Sequence, residues 1–422
     1  MILARQRYLA YVEMAVMALL LMYPGLMLAV QGGMNGVFLL TLLLALAVWL
    51  IRPSGVSAVV WQHEFTLYTA SMFGMSAAIF ISQTHLQAYT AHPYDAASRY
   101  WLGIPVFLLL SRLHPKIFAT LQTGFPVAAI VGLLMAQNLG VSYGNRTGIS
   151  RLDLIHYGDF ELILGVMSLF SIDWFGRDGL PLRMLKGLGF IAGVSASFVS
   201  GTRGGWLAIP VFIAIFIYFK TARISWKMLV MTAFAGIIAI ALAYFGSATF
   251  QQRTNELIHD VSVFNQGSRD TSTGIRWQLY KAAAEIFSRH PVFGVGLEGF
   301  ALEMNPMVEA GKITPLAAEL GRGEVHNDIL SKAAGMGIFG LAAMLAIYFV
   351  PFGLFWRAAA SASGQVRRSG ILGITFVSGF FVFGLTVEFL NLTMSTAFYS
   401  FTVAVLLAAC YNIHNEVVHK IA

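Results

Sequence analysis

The chain has 422 residues, 57% hydrophobic and 11% charged, with a net charge of +7 and a single cysteine. Soluble globular proteins carry about 25% charged residues, so a soluble domain is excluded. The positive charge shows no basic run interleaved with aromatics, so no nucleic-acid partner is implied, and Cys410 alone rules out an intramolecular disulfide or a cysteine metal site.

Apolar runs of about 18 residues or more recur along the chain and do not alternate in polarity, which predicts an all-α polytopic membrane protein and not a β-barrel. Met1 to Arg7 leads into a long apolar run without a clear small-residue cleavage site, so it reads as a first membrane helix and not as a cleaved signal. The predicted spans, in order and each within several residues, are about 9–30, 35–51, 64–83, 97–111, 117–137, 158–175, 184–200, 204–220, 227–247, 334–356, 370–390 and 393–412, twelve in all. Three segments follow: spans one to nine in 1–247, a polar loop in 248–333, and spans ten to twelve in 334–422. With the N-terminus inside, the inner ends and loops hold fifteen Lys and Arg, and the short outer loops hold four, Arg99, Arg146, Arg151 and Arg203. This bias puts the long loop on the outer side. Outside the cytoplasmic membrane there is no ATP, so a reaction there needs a substrate that arrives already activated.

Two outer turns run against the charge trend. Arg146 and Arg151 lie in Asn145-Arg146-Thr147-Gly148-Ile149-Ser150-Arg151, a small basic patch. Arg203 lies in Ser200-Gly201-Thr202-Arg203-Gly204-Gly205-Trp206, the turn between spans seven and eight, where glycines admit close approach of backbone or ligand. An arginine at the mouth of a bundle is costly unless water, a carboxylate or an anionic ligand meets it. Asp159, Glu161 and Glu388, near outer span ends, are candidate partners for these arginines.

In the long loop, Gly274 to Arg289 predicts a helix capped by Ser272 or Thr273, with Trp277, Tyr280, Ala284 and Phe287 on an apolar face and Arg276 in the first turn. Arginine beside the positive end of a helix is unfavourable unless an anion joins it, and phosphate is the natural one. A solvated surface arginine is the competing reading. His290-Pro291 ends this helix, and Gly294 and Gly296 allow a sharp turn. His326 follows Glu324 and opens a helix leading into span ten. Histidine there suits a general base, with a polar interfacial residue as the alternative. Gly335-Met336-Gly337-Ile338-Phe339-Gly340 is rich in small residues that favour close helix packing. No acidic pair or histidine pair has metal-ligand spacing, whereas arginines are permanently charged and bidentate toward phosphate.

The ordered set Thr202-Arg203-Gly204-Gly205, Gly274-x-Arg276-Trp277, His290-Pro291-x-x-Gly294-x-Gly296, His326-Asn327-x-x-Leu330 and Gly335-x-Gly337-x-x-Gly340 resembles the O-antigen ligase and polymerase superfamily. The specific motifs lie in about 195–345, while the likeness in topology covers most of the chain. The resemblance implies a GT-C-type glycosyltransferase of the bacterial inner membrane with a long helical periplasmic loop. The implied substrates are a polysaccharide on undecaprenyl pyrophosphate as donor and a lipid A-core sugar hydroxyl as acceptor. It implies no metal and no cofactor. It also implies His326 as base, Arg203 and Arg276 on the leaving pyrophosphate, and substrate contact from Arg146, Arg151 and Asn327. One dominant outer loop favours a ligase over a polymerase, and protein O-oligosaccharyltransferases share the histidine and arginine motifs. A transporter of lipid-linked glycans is the rival from another class, but no internal repeat supports it. The oligomeric state is not legible.

Overall fold

In a computed structural model of the chain, the described residues are 2–51, 61–143, 146–149, 152–220, several positions between 251 and 262, and 269–412. Helices α1 (Ile2–Ala29), α2 (Gly33–Ile51), α3 (His63–Leu86), α4 (His92–Leu110) and α5 (Leu121–Asn138) come first. A small antiparallel hairpin pairs β1 (Val141–Tyr143) with β2 (Arg146–Gly148). Then follow α6 (Leu154–Phe170), α7 (Leu180–Ser200), the one-turn α8 (Arg203–Trp206) and α9 (Ala208–Lys220). The loop contributes α10 (Ser272–Arg289), α11 (Gly299–Glu309) and α12 (Pro315–Gly321), and α13 (Asp328–Ala359), α14 (Gly364–Gly384) and α15 (Thr393–Cys410) close the bundle.

Eight of these helices are long and apolar enough to cross a membrane. The expected twelve is therefore not what length and composition alone return. Helices α4, α6 and α8–α9 occupy the fourth, sixth and eighth expected positions but are shorter or more polar, and the ninth, 227–247, lies outside the described residues. For α6 the physical reason is its place in the bundle. It is buried without interruption from His156 to Ser168, including Asp159 and Glu161, so its polar residues face protein. Helix α15 is likewise buried from Ser395 to Cys410. A helix enclosed on all sides needs no polar face. Helix α7 instead leaves Leu188 and Ile191 exposed. It meets α6 backbone to backbone, since a Cβ on Gly193 would lie 2.3 Å from the Glu161 carbonyl oxygen.

The loop helices build their own small core from Ile275, Leu279, Ala282, Ala283 and Ile286 of α10 with Phe300, Met304, Met307, Ile313 and Ala317. This corrects the expected face of α10. Trp277 is 50% exposed and Ala284 is exposed, because a second stripe with the same helical spacing, one step along, is the one that packs. The cap also moves. Thr271 Oγ1 accepts the Gly274 N–H at 3.0 Å, in place of Ser272 or Thr273.

The glycine motifs turn out to be mates. Helix α13 breaks at Gly337 (φ 62°, ψ −146°), which frees backbone groups of the preceding turn. The Pro291–Gly296 turn satisfies them: Val295 N–H donates to Ala334 O (3.1 Å), Gly296 N–H to Gly335 O (2.8 Å), and Ile338 N–H to Pro291 O (2.8 Å). Ser82 of α3 donates to Phe293 O at 3.0 Å and joins the same contact. A Cβ on Gly337 would stand 2.3 Å from the Val292 carbonyl, and one on Gly294 (φ +70°) 2.3 Å from the Gly335 carbonyl carbon. The small residues thus seat the loop on a broken helix. Gly294→Ala and Gly337→Ala should each cost on the order of 1–3 kcal/mol and lower the melting midpoint in detergent. Gly36→Ala, where nothing lies within 4 Å, should leave it unchanged. Equal midpoints for all three variants would refute the docking role.

Candidate active site

Helix α14 ends at Gly384, and the chain reverses through Leu385–Leu392 before α15. Buried carbonyls at a helix end need partners. The Leu385 carbonyl accepts Tyr280 O–H at 2.7 Å and Asn327 Nδ2–H at 3.2 Å. Glu388, 5% exposed, accepts the Val325 N–H at 2.6 Å and Ser331 O–H at 2.8 Å, with Lys332 Nζ at 3.9 Å. The Leu390 N–H meets the Asp328 carboxylate at 3.2 Å, and Tyr348 donates to the same carboxylate at 2.8 Å. The residues on both sides of His326 are therefore pinned to one chain reversal.

His326 itself is held in the left-handed region, φ +62°, an uncommon conformation for a non-glycine residue. Tyr280 bridges its carbonyl (3.1 Å) to that of Leu385. Burial pushes the Tyr280 phenol above its usual range, against the pull of nearby Arg276 and a hydrogen bond with Asn327, so it remains an O–H donor at neutral pH. His326 Nδ1 rests on the Glu324 carboxylate, and the ring stays 19% exposed. In the tautomer that turns an Nδ1–H toward Glu324, Nε2 is the acceptor nitrogen.

Arg203 begins α8 directly after Gly201, a left-handed C-cap (φ 68°) that ends α7, and Thr202. Thr202 O–H donates to Leu154 O at 2.8 Å, and Arg146 Nε–H donates to Ser200 O at 2.8 Å. Arg146 thus staples the Arg203 turn. Gly204 lies against Thr386 of the reversal, where a Cβ would come 2.5 Å from Oγ1, and Gly205 lies against the Asp159 carboxylate. Arg276, half-buried in the first turns of α10, is within Coulombic reach of that same buried Asp159. The Arg203 turn, the Arg276 helix and the His326 segment are therefore gathered around Asp159 and Leu385–Glu388.

Asn327 is engaged locally. Its Oδ1 accepts the Ile329 and Leu330 N–H groups at 3.0 Å, which makes it the N-cap of α13. Arg151 lies outside the described residues. Of the three acids expected near the arginines, Asp159 lies within Coulombic reach of Arg276, Glu388 serves Val325, Ser331 and Lys332, and Glu161 packs toward Gly132 of α5. Sequence reasoning missed Tyr280 as a tether. Its position one helical turn after Arg276 was the available signal, but it was assigned to an apolar face. Among the described residues no group of three or more His, Cys, Asp or Glu is placed to hold a metal ion.

Residues 188–345 match the family model described as O-antigen ligase. That span includes Arg203, Arg276, His326 and the mated glycine motifs, and leaves out the reversal at 385–392. A protein named O-antigen ligase from Escherichia coli is 22% identical over 298 residues, 68% of each chain. An uncharacterized protein of Haemophilus influenzae is 25% identical over 310 residues, 72% of this chain and 76% of its own.

Tyr280→Phe removes the hydrogen-bond donor shared by the half-buried Leu385 and His326 carbonyls, a loss of roughly 0.5–1.5 kcal/mol. It should raise the rate at which diethyl pyrocarbonate modifies His326, read by peptide mass mapping, while His114 on the other side of the bundle reacts as before. An unchanged rate at His326 would show that the tether does not hold it.

Proposed function

The chain belongs to the O-antigen ligase superfamily, and from that premise we propose that it transfers a polysaccharide from undecaprenyl pyrophosphate to a sugar hydroxyl of the lipid A core. The site would face the periplasm from the bacterial inner membrane, within a GT-C-type bundle of about twelve spans organised as 1–247, 248–333 and 334–422. The reading is supported by the meeting of three segments at one chain reversal, the turn that carries Arg203, the helix that carries Arg276 and the stretch that carries His326, with Glu324 beside Nδ1 of the histidine.

In this mechanism His326 Nε2 takes the proton of the acceptor hydroxyl as its oxygen bonds to the anomeric carbon of the donor. The bond from that carbon to the pyrophosphate oxygen breaks, and the electron pair leaves with undecaprenyl pyrophosphate. Arg203 and Arg276 offset the negative charge that develops there, as fixed cations can do without a metal. Direct displacement inverts the anomeric configuration. Arg146, and Arg151 by its place in the same outer loop, would contribute to the basic mouth that admits the donor, and Asn327 would shape it by capping α13.

His326→Ala should lower turnover of the purified enzyme by about 10²–10⁴-fold while donor binding survives. Retained turnover removes His326 as the base. Arg203→Ala and Arg276→Ala should each lower turnover by about 10²–10³-fold and weaken donor binding. Lysine should rescue only in part, and wild-type activity should persist in excess chelator. A strict magnesium requirement would overturn the role given to the arginines. The acceptor is decided by the lipopolysaccharide of a deletion strain on a gel. Core without O-antigen supports the ligase, core with one repeat makes the chain a polymerase, and unchanged lipopolysaccharide with an altered glycoprotein makes it a protein glycosyltransferase.

A further inference from the structure

At the end of the bundle opposite His326, the turn joining α6 to α7 faces the first residues of α14. This turn is tightly built. Lys186 Nζ is fully enclosed and donates to Gln122 Oε1 (2.8 Å), Ser171 O (2.6 Å) and Asp178 Oδ2 (2.7 Å). Asp173 and Asp178 each accept the other's backbone N–H, at 2.8 and 2.9 Å, and Arg183 Nη2 binds both Asp173 oxygens at 3.0 and 3.2 Å. Trp174 Nε1–H donates to Ser369 at 2.9 Å, and Arg368 Nη1–H to Ile172 O at 2.6 Å, which locks the turn to α14.

Both carboxylates of the turn are thus taken, Asp178 by Lys186 and Asp173 by Arg183. Between the turn and α14 lies a cavity of about 370 Å³ whose lining includes Arg177, Arg368, Gln365, Gly364 and Asp173. That is within the roughly 300–1,000 Å³ of small-ligand sites. Arg177 is exposed beside Gly176 (φ +109°), at the tip of the turn. Gln365, half-buried, lines the cavity, and its Nε2 has no hydrogen-bond partner among the described residues. With Asp173 held by Arg183 and also near Arg368, the lining still has two guanidinium groups to one carboxylate, and with the unused amide donor it favours an oxyanion; the planar guanidinium fork matches phosphate.

We propose that this cavity binds a phosphate group, with Arg177, Arg368 and Gln365 as its ligands. The phosphate comes from an anionic lipid headgroup of the adjoining leaflet or from free phosphate. The site is remote from His326, and the proposal does not depend on the glycosyl-transfer reading.

The test uses the full chain in neutral detergent, with two probes. In the first arm it is equilibrated with vesicles of equal parts phosphatidylglycerol and phosphatidylcholine, and the lipid it retains is counted by native mass spectrometry. In the second arm inorganic phosphate is titrated calorimetrically. Arg177→Ala and Gln365→Ala are compared with wild type and with Arg367→Ala, an exposed neighbour that does not line the cavity. A phosphatidylglycerol preference that falls about fivefold in Arg177→Ala, falls in Gln365→Ala, and persists in Arg367→Ala identifies a lipid headgroup. Phosphate binding lost in the same two variants, without lipid preference, identifies free phosphate. The proposal fails if Arg177→Ala matches wild type in both arms. It also fails if Arg367→Ala loses as much as Arg177→Ala, since diffuse surface charge would then account for the binding.

Discussion

A helix that ends against packed neighbours leaves carbonyl groups in need of partners, and α14 ends in that way, at the half-buried Leu385. The solution adopted here organises everything around it. The Leu385 carbonyl is met by Tyr280 from the loop and by Asn327 from the start of α13. Glu388, three residues on, draws in Val325 and Ser331. The requirement to satisfy one buried chain reversal therefore brings together segments separated by more than a hundred residues, and His326 is set in its left-handed conformation between two of them.

Charge at this end is handled by enclosure. Lys332 and Glu388 are both nearly buried, and Asp328 is fully so. Each is hydrogen-bonded to backbone or side chain, as buried charge requires. Removing one member would strand the other, so this cluster makes the geometry near His326 rigid. Arg276, by contrast, is half-buried and within Coulombic reach of the buried Asp159.

The loop reaches this position because helix α13 is broken. Gly337 adopts a backbone conformation closed to other residues, and the turn carrying Gly294 and Gly296 supplies the hydrogen bonds the break exposes. Loop placement thus rests on directional backbone contacts, which hold it more firmly than apolar contact alone. Its own core of Ile275, Leu279, Ile286 and Met304 keeps α10 to α12 together.

The sequence by itself determined the class of molecule and the residues worth testing. Continuous apolar runs located the helices to within a few residues, because span length is set by membrane thickness. Glycine and arginine at outer turns stood out because each is costly there without a reason. It could not choose between two stripes of equal helical spacing on α10, and so assigned Trp277 and Ala284, which are exposed, to the apolar face. It did not show that Asn327 caps α13, because the capping role depends on where α13 begins. It did not show that α6, which carries Asp159 and Glu161, is enclosed by protein, because burial inside the bundle leaves no mark in composition. Only the tertiary structure decided which glycines face one another, that Tyr280 ties α10 to His326, and that Glu388 serves Val325 and Lys332. Those are contacts across long sequence separations. They are fixed by which backbone groups remain unsatisfied when helices end, and local patterns carry no record of that.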